Sequence, residues 1–153
     1  MNQIKKKPFL EKLDREIKKA RVLAGKTTAA AKRAKAFSRS QQGDRRYFEE
    51  AGRMGQESLT NLLALKEEVL ASSNQPAKEA SPVAFVTLED EDGEINSFYF
   101  LNRSAGLSNL QLLTPASPLG KALLGKKEGD KFSYRIEKEG LITTYSGKIK
   151  KVE

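Results

Sequence analysis

The chain of 153 residues contains no cysteine, no histidine and no tryptophan. Without cysteine it has no disulfide bond, no thiolate nucleophile and no thiolate metal site. Without histidine it has no imidazole base, so Ser-His and Cys-His catalysis and histidine-ligated zinc are excluded. A hard cation with oxygen ligands, such as Mg²⁺, remains compatible with the composition. Most classes of enzyme are therefore excluded before any motif is considered.

Long apolar runs are also missing. No segment approaches the roughly 20 consecutive apolar residues of a transmembrane helix, and residues 1–7 lead into no apolar signal-peptide core. We therefore expect a soluble, cytoplasmic protein that makes no contact with a membrane. We also expect it to be a monomer. A chain of this size forms one domain, or a small domain with a helical extension.

Charge divides the chain into two halves. Residues 1–75 contain 17 basic and 9 acidic side chains, a net charge of +8, whereas residues 76–153 contain 11 of each. Residues 9–71 lack proline and are rich in Ala, Lys, Glu and Leu, while Pro76 and Pro82 bound a polar stretch. This pattern predicts a basic helical unit over 1–75, a linker over 76–82 and a second domain over 83–153.

The first half has the apolar spacing of an antiparallel helical coiled coil. The pattern breaks around residues 38–46, which we interpret as the tip, with Asp44 as a candidate N-cap of the second helix. Two helices of an ordinary bundle are the alternative. The predicted seam positions are Leu10, Leu13, Ile17, Ala20, Ala24, Thr28, Ala31 and Ala34 on the first helix, and Tyr47, Ala51, Met54, Ser58, Leu62, Leu65 and Val69 on the second.

The second half has the composition of a small α+β domain. Strands are predicted over residues 83–88, 95–101, 110–113, 132–136 and 141–149, with a turn at Gly93. One short helix begins after Ser117, which can cap it, and ends at Gly125. We therefore predict antiparallel strands around a single short helix.

Residues 117–130 read SPLGKALLGKKEGD, and this segment resembles the C-terminal motif of the GreA/GreB family of bacterial transcription factors. The resemblance implies an FKBP-like domain without isomerase activity that binds RNA polymerase at the mouth of its secondary channel. It also implies that the hairpin points toward the polymerase active site. The alternative for this segment is purely structural, because Ser, Pro and Gly are ordinary cap and turn residues. The polymerase-binding residues that the resemblance suggests are Ser117, Pro118, Leu119, Gly120 and Lys121.

The tip departs from the pattern of the family. In members that stimulate transcript cleavage, a Gly-Asp pair is followed by Glu three residues after the Asp, and the two carboxylates help hold a second Mg²⁺ in the polymerase. Here Asp44 is followed at that spacing by Tyr47, and the nearest acids are Glu49 and Glu50. On a helix these acids are offset about 140–240° from Asp44, against about 60° for a spacing of three.

Two interpretations of the tip acids stay open. In one, Asp44 directs the metal jointly with the polymerase, with help from Glu49 or Glu50. In the other, Asp44 is only an N-cap, and the two glutamates lie on a solvated helix face.

The first 40 residues contain 13 basic and 3 acidic side chains, an excess that attracts polyanions. Near the tip, Arg39, Arg45 and Arg46 are candidates for contacts with RNA phosphates or polymerase carboxylates. No RNA-recognition, helix-turn-helix, zinc-finger or phosphate-loop signature accompanies them.

The sequence therefore predicts a Gre-like factor that binds RNA polymerase and modulates elongation. It either stimulates RNA cleavage through the Mg²⁺ of the polymerase or occludes the channel, and it is neither an enzyme itself nor the carrier of a cofactor of its own. The alternative is a basic coiled-coil protein that binds nascent RNA or DNA and whose β domain serves another partner, with an affinity that falls steeply with salt. A third hypothesis, prolyl isomerase activity, is suggested by analogy of fold alone.

Overall fold

A computed structural model describes the backbone of residues 1–34, 42–104, 107 and 110–153. Within these ranges the side chains of residues 4, 30–34, 42–45 and 48 are not described. In chain order the elements are α1 (Gln3–Ala34), α2 (Gln42–Ala71), β1 (Ala84–Asp90), β2 (Ile95–Phe100), β3 (Leu112–Leu113), α3 (Pro118–Leu123), β4 (Lys131–Lys138) and β5 (Leu141–Val152).

The helix α1 begins earlier than the proline-free stretch suggested. Its first turn is capped by Asn2, whose Oδ1 accepts a hydrogen bond of 3.0 Å from the backbone N–H of Lys5. Pro8 lies inside the helix, within its first two turns. With 32 residues, α1 is about 48 Å long at the helical rise of ~1.5 Å per residue.

The two long helices form an antiparallel hairpin. Lys66 of α2 binds Asp14 of α1 at 2.6 Å, and farther along the hairpin Gly55 of α2 lies against Ala24 of α1. As the residue numbers rise along one helix, they fall along the other. The large apolar contacts are concentrated at the base of the hairpin, where the fully buried side chains include Phe9, Leu13, Leu65 and Val69.

The outer part of the predicted seam is wrong on α2. Tyr47 and Met54 are exposed, and Gly52 and Gly55 face α1 in their place. A Cβ placed on Gly55 would lie 3.8 Å from the Cα of Ala24, so the two backbones approach too closely to admit a methionine side chain. A search for apolar side chains cannot find this seam, because glycine has none.

The five strands form one sheet in the order β3-β2-β1-β5-β4. The strand β1 pairs antiparallel with both β2 and β5, and β5 pairs antiparallel with β4. The expectation of a purely antiparallel domain is wrong at one edge, because β3 pairs parallel to β2. Eleven residues separate the end of β2 at Phe100 from the start of β3 at Leu112, and parallel neighbours need a longer connection than the tight turn of a hairpin.

Around β1 and β2 the sheet is covered on both faces, each by a separate hydrophobic cluster. Alternation along β1 directs Ala84, Val86 and Leu88 to one face and Phe85 to the other. The domain core, on the α3 side, consists of Ala80, Ala84, Val86, Leu88, Phe100, Leu113, Leu123, Phe132, Ile149 and Val152. The junction cluster, on the hairpin side, consists of Met1, Phe9, Leu13, Ile17, Leu62, Leu65, Val69, Leu101 and Leu107.

The segment interpreted as a linker forms neither helix nor strand, and its end is packed against the domain. Ala80 is fully buried. Its N–H donates to the carbonyl of Lys126 at 2.6 Å, and its own carbonyl accepts from the N–H of Gly125 at 2.8 Å. These two bonds attach residue 80 to the chain that follows α3.

Among the described residues, no helix combines the length and the apolar character that crossing a membrane requires.

Candidate functional site

The residues predicted to contact the polymerase divide into internal and surface groups. Ser117 caps α3, because its Oγ accepts a hydrogen bond of 3.0 Å from the N–H of Gly120 and donates one of 2.8 Å to the carbonyl of Thr114. Gly120 is buried, and a Cβ on it would collide with the carbonyl oxygen of Thr114. Both residues therefore shape the turn. Pro118 and Lys121 are exposed, and Leu119 is half-buried.

Leu119 lines a small pocket on the α3 side of the sheet. The pocket has a volume of about 110 Å³, which is the size of one side chain. We call it the aromatic pocket. Its other lining residues are Leu88, Asp90, Asn96, Phe98, Phe132, Tyr134, Tyr145 and Ser146.

Three aromatic rings form one wall of the aromatic pocket. The ring centroids of Tyr134 and Tyr145 lie 5.2 Å apart with nearly parallel planes, and those of Tyr134 and Phe132 lie 6.4 Å apart. Burial, together with the neighbouring Tyr145, raises the pKa of Tyr134 above its ordinary value.

The apolar surface continues outward from the aromatic pocket along β4 and β5. Ile136 and Leu141 share the face of Tyr134, because side chains alternate along each strand and the register pairs Tyr134 with Tyr145. Leu141 is 72% exposed and Tyr145 is 46% exposed. Exposed apolar side chains grouped on one face of a domain are candidates for an interaction site. These residues were not among the predicted site residues, although the spacing of Phe132, Tyr134 and Ile136 at every second position is a usable signal.

The end of the motif is structural. The carboxylate of Asp130 accepts a hydrogen bond of 2.7 Å from the backbone N–H of Lys127. Between them Gly129 has φ of +92°, a conformation that favours glycine. Its N–H donates to the carbonyl of Ile149, so this turn ties the segment after α3 to β5.

At the tip, α2 already begins at Gln42, so Asp44 lies in its first turn rather than before it. The side chains of Asp44 and Arg45, and all of Arg39, lie outside the described residues. Arg46 is exposed, as is Glu49. Glu49 and Glu50 are consecutive on α2, so their side chains point about 100° apart around the helix.

Glu50 is bound by a cation of its own helix. Its Oε1 lies 2.6 Å from Nη2 of Arg53, and its Oε2 accepts a longer bond of 3.4 Å from Nε. Arg53 also binds Glu57 at 2.6 Å. The hydrogen bond from Arg53, more than its charge, lowers the pKa of Glu50 below its ordinary value.

The magnesium site predicted at the tip, with Asp44 acting jointly with the polymerase, depends on a side chain outside the described residues and stays a prediction. Both carboxylate oxygens of Glu50 contact Arg53, and among the residues that the structure describes no group of three or more Asp or Glu side chains is arranged to hold a metal ion. Mg²⁺ is held by several oxygen ligands in near-octahedral geometry.

The chain thus combines a helical hairpin with a small α+β domain that carries an exposed pocket. The sequence model described as "Transcription elongation factor, GreA/GreB, C-term" matches residues 75–153. The chain therefore belongs to the GreA/GreB family of transcription elongation factors. The family predicted from residues 117–130 is confirmed, and so is the α+β fold class.

Three solved structures are similar to the chain over most of its length. GreA factor homolog 1 of Thermus thermophilus is 16% identical, with 94% of each chain covered and a TM-score of 0.40. GreA factor homolog 1 of Thermus aquaticus is 19% identical, with 94% and 92% covered and a TM-score of 0.41. GreA/GreB of Nitrosomonas europaea is 18% identical, with 70% and 90% covered and a TM-score of 0.40. No curated protein matches the sequence.

Proposed function

We propose that the chain binds RNA polymerase through the aromatic pocket of its α+β domain and inserts the α1–α2 hairpin into the secondary channel. There it modulates elongation by occupying the channel, without supplying ligands to a second Mg²⁺. It is a transcription factor and not an enzyme, and the magnesium of the complex belongs to the polymerase.

The aromatic pocket is the observation that supports docking. It lies beside Leu119, inside the segment that the family resemblance associates with polymerase contact, and it is open on a surface that leaves Tyr145 and Leu141 exposed. Aromatic side chains around a desolvated pocket are typical anchors of protein interfaces. The volume of the pocket suits one aliphatic side chain of the partner.

The Arg53–Glu50 pair supports occupation of the channel without assistance to cleavage. The carboxylate that could reach a metal already has a cation at 2.6 Å, and Tyr47 stands at the position where cleavage factors carry Glu. An exposed pair contributes little stability, but its geometry places a positive charge beside the carboxylate and so disfavours a metal ion there.

A backtracked elongation complex of RNA polymerase from the same source tests both parts of the proposal. We would measure the affinity of the factor for the complex and RNA cleavage at fixed Mg²⁺. Tyr145→Ala tests docking, and Ile142→Ala is its matched control, because Ile142 is exposed on the opposite face of β5. Tyr47→Glu tests the tip, since it creates the acid spacing of the cleavage factors.

We expect Tyr145→Ala to weaken binding about tenfold or more, as loss of an interface anchor does, and Ile142→Ala to bind as the native chain does. The native chain should bind without stimulating cleavage, whereas Tyr47→Glu should stimulate it. Cleavage that the native chain stimulates and Asp44→Ala abolishes would instead establish a cleavage factor. Binding to RNA alone, with none to the polymerase, would establish the nucleic-acid alternative.

A further inference from the structure

The side of α1 that faces away from α2 carries a groove bordered by cations. At 100° per residue, the residues that line this groove centre about 180° around the helix from the buried positions Leu13, Ile17 and Ala24. The groove lies on α1 alone, at the middle of the helix. We call this surface the α1 stripe, and it is lined by Arg15, Lys18, Lys19, Val22, Leu23 and Lys26.

Two adjacent aliphatic side chains contribute to the α1 stripe. Val22 is 52% exposed and Leu23 is 58% exposed. Single exposed aliphatic residues are ordinary on protein surfaces. Here, however, both side chains line one groove together with four basic residues, so a ligand that covers the apolar part also meets the charges.

The charge of the α1 stripe is strongly positive. Residues 15–26 contain five basic side chains and one acid, Glu16, a net charge of +4. Glu16 pairs with Lys19 at 2.7 Å, and the lysine side chain of that pair stays 72% exposed. Asp14 is engaged elsewhere, by Lys66 of α2. The partner that complements this surface is therefore anionic.

We propose that the α1 stripe binds an acidic protein segment that carries at least one aliphatic side chain, and that this segment belongs to the polymerase. The inference rests on the proposed function and adds a second contact to it. Phosphates would satisfy the cations but would leave Val22 and Leu23 in water. An acidic segment of protein satisfies the cations and buries both aliphatic side chains as well.

The position of the α1 stripe makes it a second contact, separate from the aromatic pocket. Val22 lies 13 residues beyond Phe9 of the junction cluster, which is about 20 Å along the helix. Once the aromatic pocket has bound the polymerase, the contact at the α1 stripe forms within one complex, and this second contact raises the overall affinity. Loss of the α1 stripe alone should therefore weaken binding without abolishing docking.

Affinity for the polymerase, measured with the full chain, tests the proposal. One variant, Val22→Ser with Leu23→Ser, removes the aliphatic part, and a second, Lys18→Glu with Lys26→Glu, reverses two charges. The matched control is Lys78→Glu with Lys148→Glu, which makes the same change of net charge at two exposed lysines outside the hairpin. A single-stranded RNA oligonucleotide is the competing probe, and circular dichroism checks the helix content of each variant.

We expect both stripe variants to bind the polymerase about tenfold more weakly and the control to bind within about twofold of the native chain. Unchanged affinity of the Val22/Leu23 variant, with parallel loss of RNA and polymerase binding in the Lys18/Lys26 variant, would identify a phosphate-binding face and overturn the proposal. Unchanged affinity in both stripe variants, while Tyr145→Ala still weakens binding, would overturn the proposal and leave the proposed function intact. Absence of polymerase binding by the native chain would overturn both.

Discussion

Lys6 is a buried cation that binds the end of the neighbouring helix. It is 7% exposed, and its Nζ donates to the carbonyls of Leu70 and Ser72, at 3.2 and 2.8 Å, and to Oδ1 of Asn74, at 3.0 Å. The last turn of α2 has no basic residue of its own. The positive charge that favours a helix C-terminus therefore comes from α1.

Replacement of this cation should destabilise the hairpin. Lys6→Met keeps most of the aliphatic stem but removes three hydrogen bonds from a charged donor, so we expect the free energy of unfolding to fall by about 2 kcal/mol. Urea denaturation measures the change. Lys7→Met, at the exposed neighbouring position, should alter stability by no more than about 0.5 kcal/mol. Equal effects at the two positions would contradict the role of Lys6.

At the scale of the element, the outer part of the hairpin is held by small residues. Gly52 lies opposite Thr27 and Gly55 opposite Ala24, so this part of the hairpin buries less apolar area than its base does. Glycine inside a helix also lowers its stability relative to alanine. The long helices are therefore stabilised chiefly from the junction cluster.

Alanine at these glycines should stabilise the hairpin. An added Cβ would lie 3.9 Å from Oγ1 of Thr27 at position 52 and 3.8 Å from Ala24 at position 55, which are ordinary van der Waals distances. We expect Gly52→Ala and Gly55→Ala each to raise the free energy of unfolding by about 0.5–1 kcal/mol, measured by urea denaturation.

Gly25→Ala is the control for this effect, because a Cβ there meets no described atom within 4 Å and reports helix propensity alone. A loss of stability for Gly55→Ala beside a gain for Gly25→Ala would show that the helices pack more closely than the structure indicates.

At the scale of the molecule, the hairpin and the sheet share the junction cluster. The ring of Tyr99 on β2 packs between Phe9 of α1, tilted at a centroid distance of 4.7 Å, and Phe85 of β1, edge-on at 4.8 Å. The carboxylate of Glu68 on α2 accepts hydrogen bonds from both the backbone N–H and the side-chain amide of Asn102. The base of the hairpin thus packs directly against the hairpin side of the sheet.

Alkaline pH should weaken this junction through Tyr99. Burial raises the pKa of Tyr99 above its ordinary value, whereas an unfolded tyrosine ionises near pH 10. The stability that Tyr99 contributes is therefore complete below about pH 10 and is lost as pH rises through the higher folded-state pKa. In urea denaturation the native chain should lose stability relative to Tyr99→Phe above about pH 10, and parallel pH profiles for the two chains would contradict the prediction.

Local chemistry accounts for what the sequence determined by itself. The Ser117 cap, the turn at Gly93, the short helix and the positions of most strands follow from neighbouring residues, because caps, turns and strand alternation involve side chains a few positions apart. The motif at residues 117–130 also identified the family from the sequence alone. The charge difference between the halves is likewise a property of the sequence alone.

Only the tertiary structure decided the features that join distant residues. The parallel pairing of β3, the glycine seam between the helices, the contacts of Lys6 with the end of α2 and the aromatic pocket each depend on how separate elements pack. The sequence contains many lysines and several helical glycines. Only the packing of the elements decides which lysine contacts the end of α2 and which glycines face α1.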